Sequence, residues 1–271
     1  MTDRIPFVKM HGLGNDFVII LEDALPSNWE DSAFIPSISS RIIGIGCDQF
    51  ITYKQTDSAR FAMSIYNQDG GVALACGNAS RCLSRLIFDE TGLRNITLTV
   101  AGGRVVLCEY ISKDAIKVNM GVASFSESWM PESSDLWNLV EHYPIEPKEM
   151  ICVDVANPHL VIFSQLSDQD KKLIGKNFQK TDLFKGGVNV SFARVEDDKI
   201  HLKVWERGTG FTYACGSGAI ATFAAAVKLG FAKDEAEIIF KLGSLKMKTI
   251  DGMITICGSA SYVFQGNYFY E

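Results

Sequence analysis

The sequence predicts an α+β protein built as two topologically equivalent halves. Strand-length runs of alternating apolar and β-branched residues recur along most of the chain. Two stretches, "LACGNASRCLSRLIF" and "FTYACGSGAIATFAAAVKLG", each set a Cys-Gly step before an apolar run of helical composition. Cys76 and Cys215 stand 139 residues apart, and a shift by that interval lays the strands after the first helix over those after the second; the strand before each cysteine also superposes, Phe61 falling on Ile200. Self-similarity of element order at a fixed offset is the mark of an internal duplication.

In chain order, strands are predicted at 7–10, 17–21, 49–53 and 61–66, followed by a helix over about 77–89. Three strands follow at 96–100, 104–111 and 115–119, with Gly102-Gly103 and Lys113-Asp114 as turns. Residues 123–147, rich in Ser, Glu, Pro and Trp, read as the connection between halves. The pattern then restarts with strands at 151–155, 159–163, 188–194 and 199–205, the second cysteine-headed helix, and strands at 237–242, 244–250 and 253–257. "SYVFQGNYFY" is one more strand that completes either half. The expected domains are 1–121, with the strand at about 262–271 completing it, and 122–261.

Composition narrows the partners. At 271 residues and 47% hydrophobic the chain has material for a substantial core, and a net charge of -6 with scattered basic residues gives no stripe for a nucleic-acid backbone. A small molecule is the expected partner. The longest nearly apolar run, 219–227, is far short of a bilayer span, and the start "MTDRIPFVKMHGLGNDF" does not read as a signal peptide, so a soluble protein is expected. Seven cysteines without a CxxC pair argue against a zinc site and fit a reducing cytoplasm.

A helix start leaves backbone N–H groups without partners and carries partial positive charge, so it suits a carboxylate or a thiolate. Glycine and serine at Gly77, Gly216, Ser217 and Gly218 allow close approach to that backbone. A cysteine at such an end is expected to have its pKa lowered. Two thiols, one on each side of one carbon, make a two-base site: one sulfur removes a proton and the other delivers one to the opposite face. Cys47, Cys82, Cys108, Cys152 and Cys257 read as core.

Six separated motifs, "KMHGLGNDFVII", "GIGCDQF", "YNQDGGVALACGNASRC", "ANPHLVIF", "GVNVSF" and "WERGTGFTYACGSGA", resemble in this order the diaminopimelate epimerase family, over essentially the whole chain. The resemblance implies two halves related by a pseudo-two-fold axis, each a strongly curved, mostly antiparallel sheet around a central helix. It implies interconversion of LL- and meso-diaminopimelate, feeding lysine and peptidoglycan precursors, without pyridoxal phosphate, other cofactor or metal, in a cytoplasmic homodimer. Cys76 and Cys215 match the acid/base thiols, and His159 and Glu206 the groups that assist them. Gly77, Asn78, Gly216 and Ser217 match positions whose amides grip the reacting carboxylate, and Asn15 and Gln49 match further pocket residues. Asn67, Asn157, Asn189 and Arg207 match those holding the distant amino-acid end, with Glu206 near its ammonium. A distal zwitterion needs a cation and amide donors for its carboxylate and an anion for its ammonium.

Three positions depart from the family pattern: Ala79 for glycine, Phe211 for glutamate and Ile220 for cysteine. They bear on the pocket wall more than on the reaction class. Among rivals, a proline-racemase-type enzyme lacks the contacts for a second zwitterion, and a phenazine-biosynthesis-type isomerase lacks the thiols. A nucleotide-binding loop at "GLGNDF" is weak because Phe17 holds the third glycine position. A thiol redox sensor is the remaining alternative.

Overall fold

The computed structural model describes residues 3–29, 33–73 and 76–270; Leu74 and Ala75 of the first cysteine motif lie outside them. The chain divides into two compact units, Met1–Asn119 with Cys257–Glu271, and Met120–Ile256. Seventeen strands and five α-helices are assigned among the described residues.

In the first unit β1 (Asp3–Gly12) turns back on β2 (Asn15–Leu21). The two-residue turn between them puts both Leu13 (φ 54°) and Gly14 (φ 89°) in the left-handed region, the twist that a tight hairpin requires. "GLGNDF" is therefore a β-turn between antiparallel strands. Helix α1 (Phe34–Ser39) then carries the chain over to β3 (Gln49–Asp57), parallel to β2. Phe34, Ile35 and Ile38 bury against Ile5, Val18 and Phe50.

Strand β4 (Arg60–Asn67) returns antiparallel to β3. One end of its far edge pairs with the short β5 (Val72–Ala73), the other with β6 (Asn95–Thr99) in parallel. Between those two pairings the chain makes α2 (Gly77–Thr91). Strands β7 (Val105–Ser112) and β8 (Ala115–Asn119) complete the meander, and the C-terminal strand Ser261–Tyr270 pairs antiparallel with β1. Helix α2 packs on β1 and β2 and also on β7 and β8, so the sheet wraps around it.

The second unit repeats this order. After α3 (Ser133–Asn138) come β9 (Met150–Asp154) and β10 (Pro158–Phe163), antiparallel, then α4 (Asp168–Lys180) as the crossover to β11 (Asn189–Glu196), parallel to β10. Strand β12 (Lys199–Glu206) pairs antiparallel with β11 and with the short β13 (Gly210–Phe211), and in parallel with β14 (Glu235–Phe240). Helix α5 (Gly216–Leu229) lies between those two pairings, and β15 (Gly243–Ile250) and β16 (Met253–Gly258) follow. Element for element, the internal duplication is present.

Both central helices end the same way, with Gly92 (φ 77°) and Gly230 (φ 79°) as left-handed caps. Helix α4 starts where the Ser167 hydroxyl accepts the Asp170 N–H, and buries Ile174 and Phe178 in the core of the unit. Gly175 lies between them because Trp205 presses on the backbone: an added Cβ would sit 2.5 Å from Trp205 Cγ. Gly175→Ala is expected to lower stability by about 1–3 kcal/mol, read as a lower urea midpoint; an unchanged midpoint would contradict this packing.

Candidate active site

The two cysteines occupy identical stations. Each is the N-cap of its unit's central helix in extended backbone geometry, Cys76 at φ -143°, ψ 113° and Cys215 at φ -130°, ψ 113°. The first helical bonds run from Ser80 N–H to Cys76 C=O and from Ala219 N–H to Cys215 C=O, both 2.9 Å. Amide groups of Gly77, Asn78, Gly216 and Ser217 therefore precede the helical ladder, in the first turn of a positive helix end.

In the first unit the Cys76 thiol lies 3.7 Å from Asn15 Oδ1, which also accepts from Asn78 Nδ2 at 3.1 Å. Asn15 in turn donates to Asp48 Oδ2 at 3.0 Å. Asp48 shares Arg41 with Asp16, and Asp16 also pairs with Lys9 at 2.9 Å. Burial alone would raise the Asp16 pKa, but the hydrogen bonds from Arg41 and Lys9 prevail and hold it at about 2. This ion network fixes the start of β2, and thus Asn15. Gln49 donates to Asn67 Oδ1 at 3.1 Å across the β3–β4 pair.

The second unit gathers more groups. His159, fully buried on β10, meets the Ser217 hydroxyl with Nε2 at 2.9 Å and the Ser191 hydroxyl with Nδ1 at 3.4 Å. Ser217 lies 3.4 Å from Cys215 Sγ and accepts from Asn157 Nδ2 at 3.3 Å. Gly218 N–H donates to the same sulfur at 3.4 Å, and a Cβ at Gly218 would collide with Val204 at 2.8 Å. Glu206, at the end of β12, accepts from the Thr212 hydroxyl, and its charge acts on the Cys215 thiol. Arg207 is held at three points: its N–H donates to Asn189 Oδ1 at 2.9 Å, its Nη1 donates to Gly186 C=O at 2.6 Å, and its stem lies on Gly187. Gly187 is bound to be glycine, since φ is +80° and a Cβ would sit 2.8 Å from Arg207 Cδ.

One expectation is corrected. The helix end does not lower the Cys215 pKa; burial, and then the charge of Glu206, push it well above the ordinary thiol value, against the opposing Ser217 hydroxyl and Gly218 N–H. Cys215 is a neutral thiol at physiological pH. Desolvation outweighs a helix end because only 5% of the residue remains exposed.

Burial, aided by the Arg207 charge, drives His159 down from 6.5 to about 3. It is neutral in the folded protein, with one N–H and one lone pair, so the His159–Ser217–Cys215 chain can pass a proton in either direction. The unfolded chain protonates this imidazole below about 6.5, so its contribution to stability is complete above that pH and is lost progressively as the pH falls toward about 3, reaching about 2–3 kcal/mol at about pH 4.5. His159→Gln is expected to lose less stability between about pH 7 and pH 4.5 than the unaltered protein, measured by urea midpoints. Equal losses would contradict a buried neutral imidazole.

Sequence reasoning assigned Ser217 through its amide alone; its hydroxyl is the hub of the second group. Ser191, Thr212, Asp48 and the Asp16–Arg41 network were not singled out. Of the three departures, Ala79 and Ile220 are buried, and Phe211 stands edge-on to Trp205 with centroids 5.0 Å apart.

The fold is shared, at low sequence identity, with solved structures of other proteins. A PhzF-family phenazine biosynthesis protein from Bacillus anthracis matches with TM-score 0.72 at 13% identity, over 98% of this chain and 99% of that one. A hydroxyproline epimerase from Agrobacterium vitis matches with TM-score 0.66 at 13% identity, over 98% of this chain and 93% of that one. The family model for diaminopimelate epimerase matches residues 7–126 and 151–263. Diaminopimelate epimerases of Rickettsia bellii (strain OSU 85-389) and Rickettsia prowazekii (strain Madrid E) are 52% and 49% identical to the chain, over the full length of both partners in each case. The chain belongs to the diaminopimelate epimerase family.

Proposed function

We propose that this protein is an isomerase that interconverts LL- and meso-diaminopimelate by two-base inversion, with Cys76 and Cys215 as the sulfurs that take and give the α-proton. The observation that carries this reading is the pair of thiols at the same N-cap station of two duplicated helices. Inversion demands that the two sulfurs reach opposite faces of one α-carbon. Amides of Gly77, Asn78, Gly216 and Ser217 receive the carboxylate beside that carbon, where negative charge grows as the proton leaves. His159, through Ser217, and Glu206 relay protons at Cys215. Asn15 orients Cys76, and Gln49 with Asn67 lines the pocket.

The remaining groups read as a zwitterion receptor. Arg207, with Asn157, Asn189 and Asn67, takes the distant carboxylate, and Glu206 the distant ammonium. The reading takes no cofactor and no metal. Residues 1–121, with the C-terminal strand, and 122–261 act as two domains with one thiol each.

A cytoplasmic homodimer completes the proposal. Seven free cysteines suit a reducing compartment. The C-terminal strand exposes Val263, Phe264 and Phe269, a surface suited to a second copy. Among the described residues no helix is long and apolar enough to cross a membrane.

The test is chromatographic: the protein, stripped of any pyridoxal phosphate, should convert LL-diaminopimelate into the meso isomer and leave proline and hydroxyproline untouched. Racemisation of proline with diaminopimelate unchanged would overturn this reading in favour of a proline-racemase-type enzyme.

A further inference from the structure

Arg81 is the largest fully buried side chain among the described residues, and it belongs to the first turns of α2, behind Cys76. Its guanidinium donates only to neutral oxygens: Nε to Ser259 C=O at 3.1 Å, Nη1 to Gly77 C=O at 3.4 Å and Nη2 to Asn78 Oδ1 at 2.9 Å. The backbone of Gly12 seals it from β1, where a Cβ would sit 2.9 Å from Nη2. Burial lowers its pKa from the ordinary value, the sulfurs of Cys82, Cys76 and Cys257 oppose that shift, and among the described residues no carboxylate pairs with it. A guanidinium stays charged in any folded protein, and a buried cation without an anion is costly.

The duplicated half shows the opposite charge. The position equivalent to Arg81, 139 residues on, is Ile220 on α5, and the position equivalent to Asn67 is Glu206. Cys76 therefore has a buried cation behind its helix start and a neutral amide on the neighbouring strand. Cys215 has a buried aliphatic side chain behind it and the charge of the Glu206 carboxylate acting on its sulfur. Two identical backbone stations have been given opposite fields.

We infer, resting on the two-thiol reading above, that Arg81 is a positioning residue whose buried charge makes Cys76 the anionic sulfur of the free enzyme, while Glu206 keeps Cys215 protonated. The free enzyme then holds one base and one acid, assigned by the fold before substrate arrives, and Cys76 is the first to abstract a proton. Arg81 also orients the cradle, since Asn78, which it holds, donates to Asn15. The contact of the Cys76 thiol to Asn15 Oδ1 is long, at 3.7 Å. Of the other titratable groups on α2 and the strands packed against it, Cys82 and Cys108 are pushed up to about 12 by burial and stay neutral, Lys9 is committed to Asp16, and His11 takes the Gly14 N–H.

Iodoacetamide labelling without substrate, followed by peptide mass spectrometry over about pH 5–10, tests this by the midpoint of each labelling curve, which accessibility does not move. In the unaltered enzyme the Cys76 midpoint should lie at least about one pH unit below that of Cys215. Arg81→Gln should raise the Cys76 midpoint by about one unit or more and leave that of Cys215 in place, and Arg81→Lys should restore most of the shift. Coincident midpoints, or a lower one for Cys215, would overturn the inference whether or not the variants fold. A folded Arg81→Gln protein with an unmoved Cys76 midpoint would make Arg81 a structural clamp and overturn it too. The labelling involves no turnover, so the proposed reaction stands or fails separately.

Discussion

Cys215→Ala is expected to lose at least about a thousandfold in turnover of diaminopimelate, and Cys76→Ala the same, with the fold of each variant intact. A two-base inversion has no substitute for either sulfur: without one, the α-carbon still loses its proton on one side but gains none on the other. Each alanine variant should therefore keep slow α-proton exchange on one isomer only. Stability should fall little, because the alanine keeps the N-cap backbone geometry and removes one sulfur atom at the helix start. Turnover by isomer chromatography and thermal unfolding on the same samples separate chemistry from folding. A variant that kept near-normal turnover would remove that thiol from the mechanism.

Arg207→Met is expected to lower kcat/KM for diaminopimelate about a hundredfold or more, since two charge-assisted hydrogen bonds to a carboxylate contribute about 1.5–3 kcal/mol each. The guanidinium is preorganised by Gly186 C=O, its stem lies on the Gly187 backbone and the Arg207 main chain is pinned by Asn189, so little ordering remains for the substrate to bring about. Arg207→Lys should recover only part of the loss, because an ammonium cannot reproduce the planar fork. Steady-state kinetics on both variants decides. Unchanged kcat/KM in Arg207→Met would mean that the distant end of the substrate is held elsewhere.

Much of this architecture was legible because the duplicated segments carry strong local signals. Glycine before an alanine-rich run marks α5, and β-branched alternation marks β3, β4, β11 and β12. Helix α4 carries a weaker signal. Its sequence, "DQDKKLIGKNFQK", is mostly polar, and only the Ser167 cap and the spacing of Ile174 and Phe178 give it away. The two-residue strands β5 and β13 are too short for any periodicity, and pairing with β4 and β12 alone defines them.

The site residues were legible by type and spacing, but their electrostatics were not. A helix start argues for a thiolate, yet Cys215 is neutral because burial and Glu206 act together, and both are tertiary facts. The Ser217 hydroxyl bridges His159 and Cys215 only because β10 brings His159 beside the first turn of α5. Arg81 reads in sequence as an ordinary helical arginine; only the fold buries it.

The most direct test of two opposed sulfurs acting on one carbon is the early distribution of solvent label. In deuterated buffer at low conversion, LL-diaminopimelate should yield meso product carrying one deuterium at the inverted carbon, while recovered substrate stays almost free of label. Label appearing equally in recovered substrate and product from the first turnovers would mean that one group serves both faces, and would contradict the two-thiol mechanism.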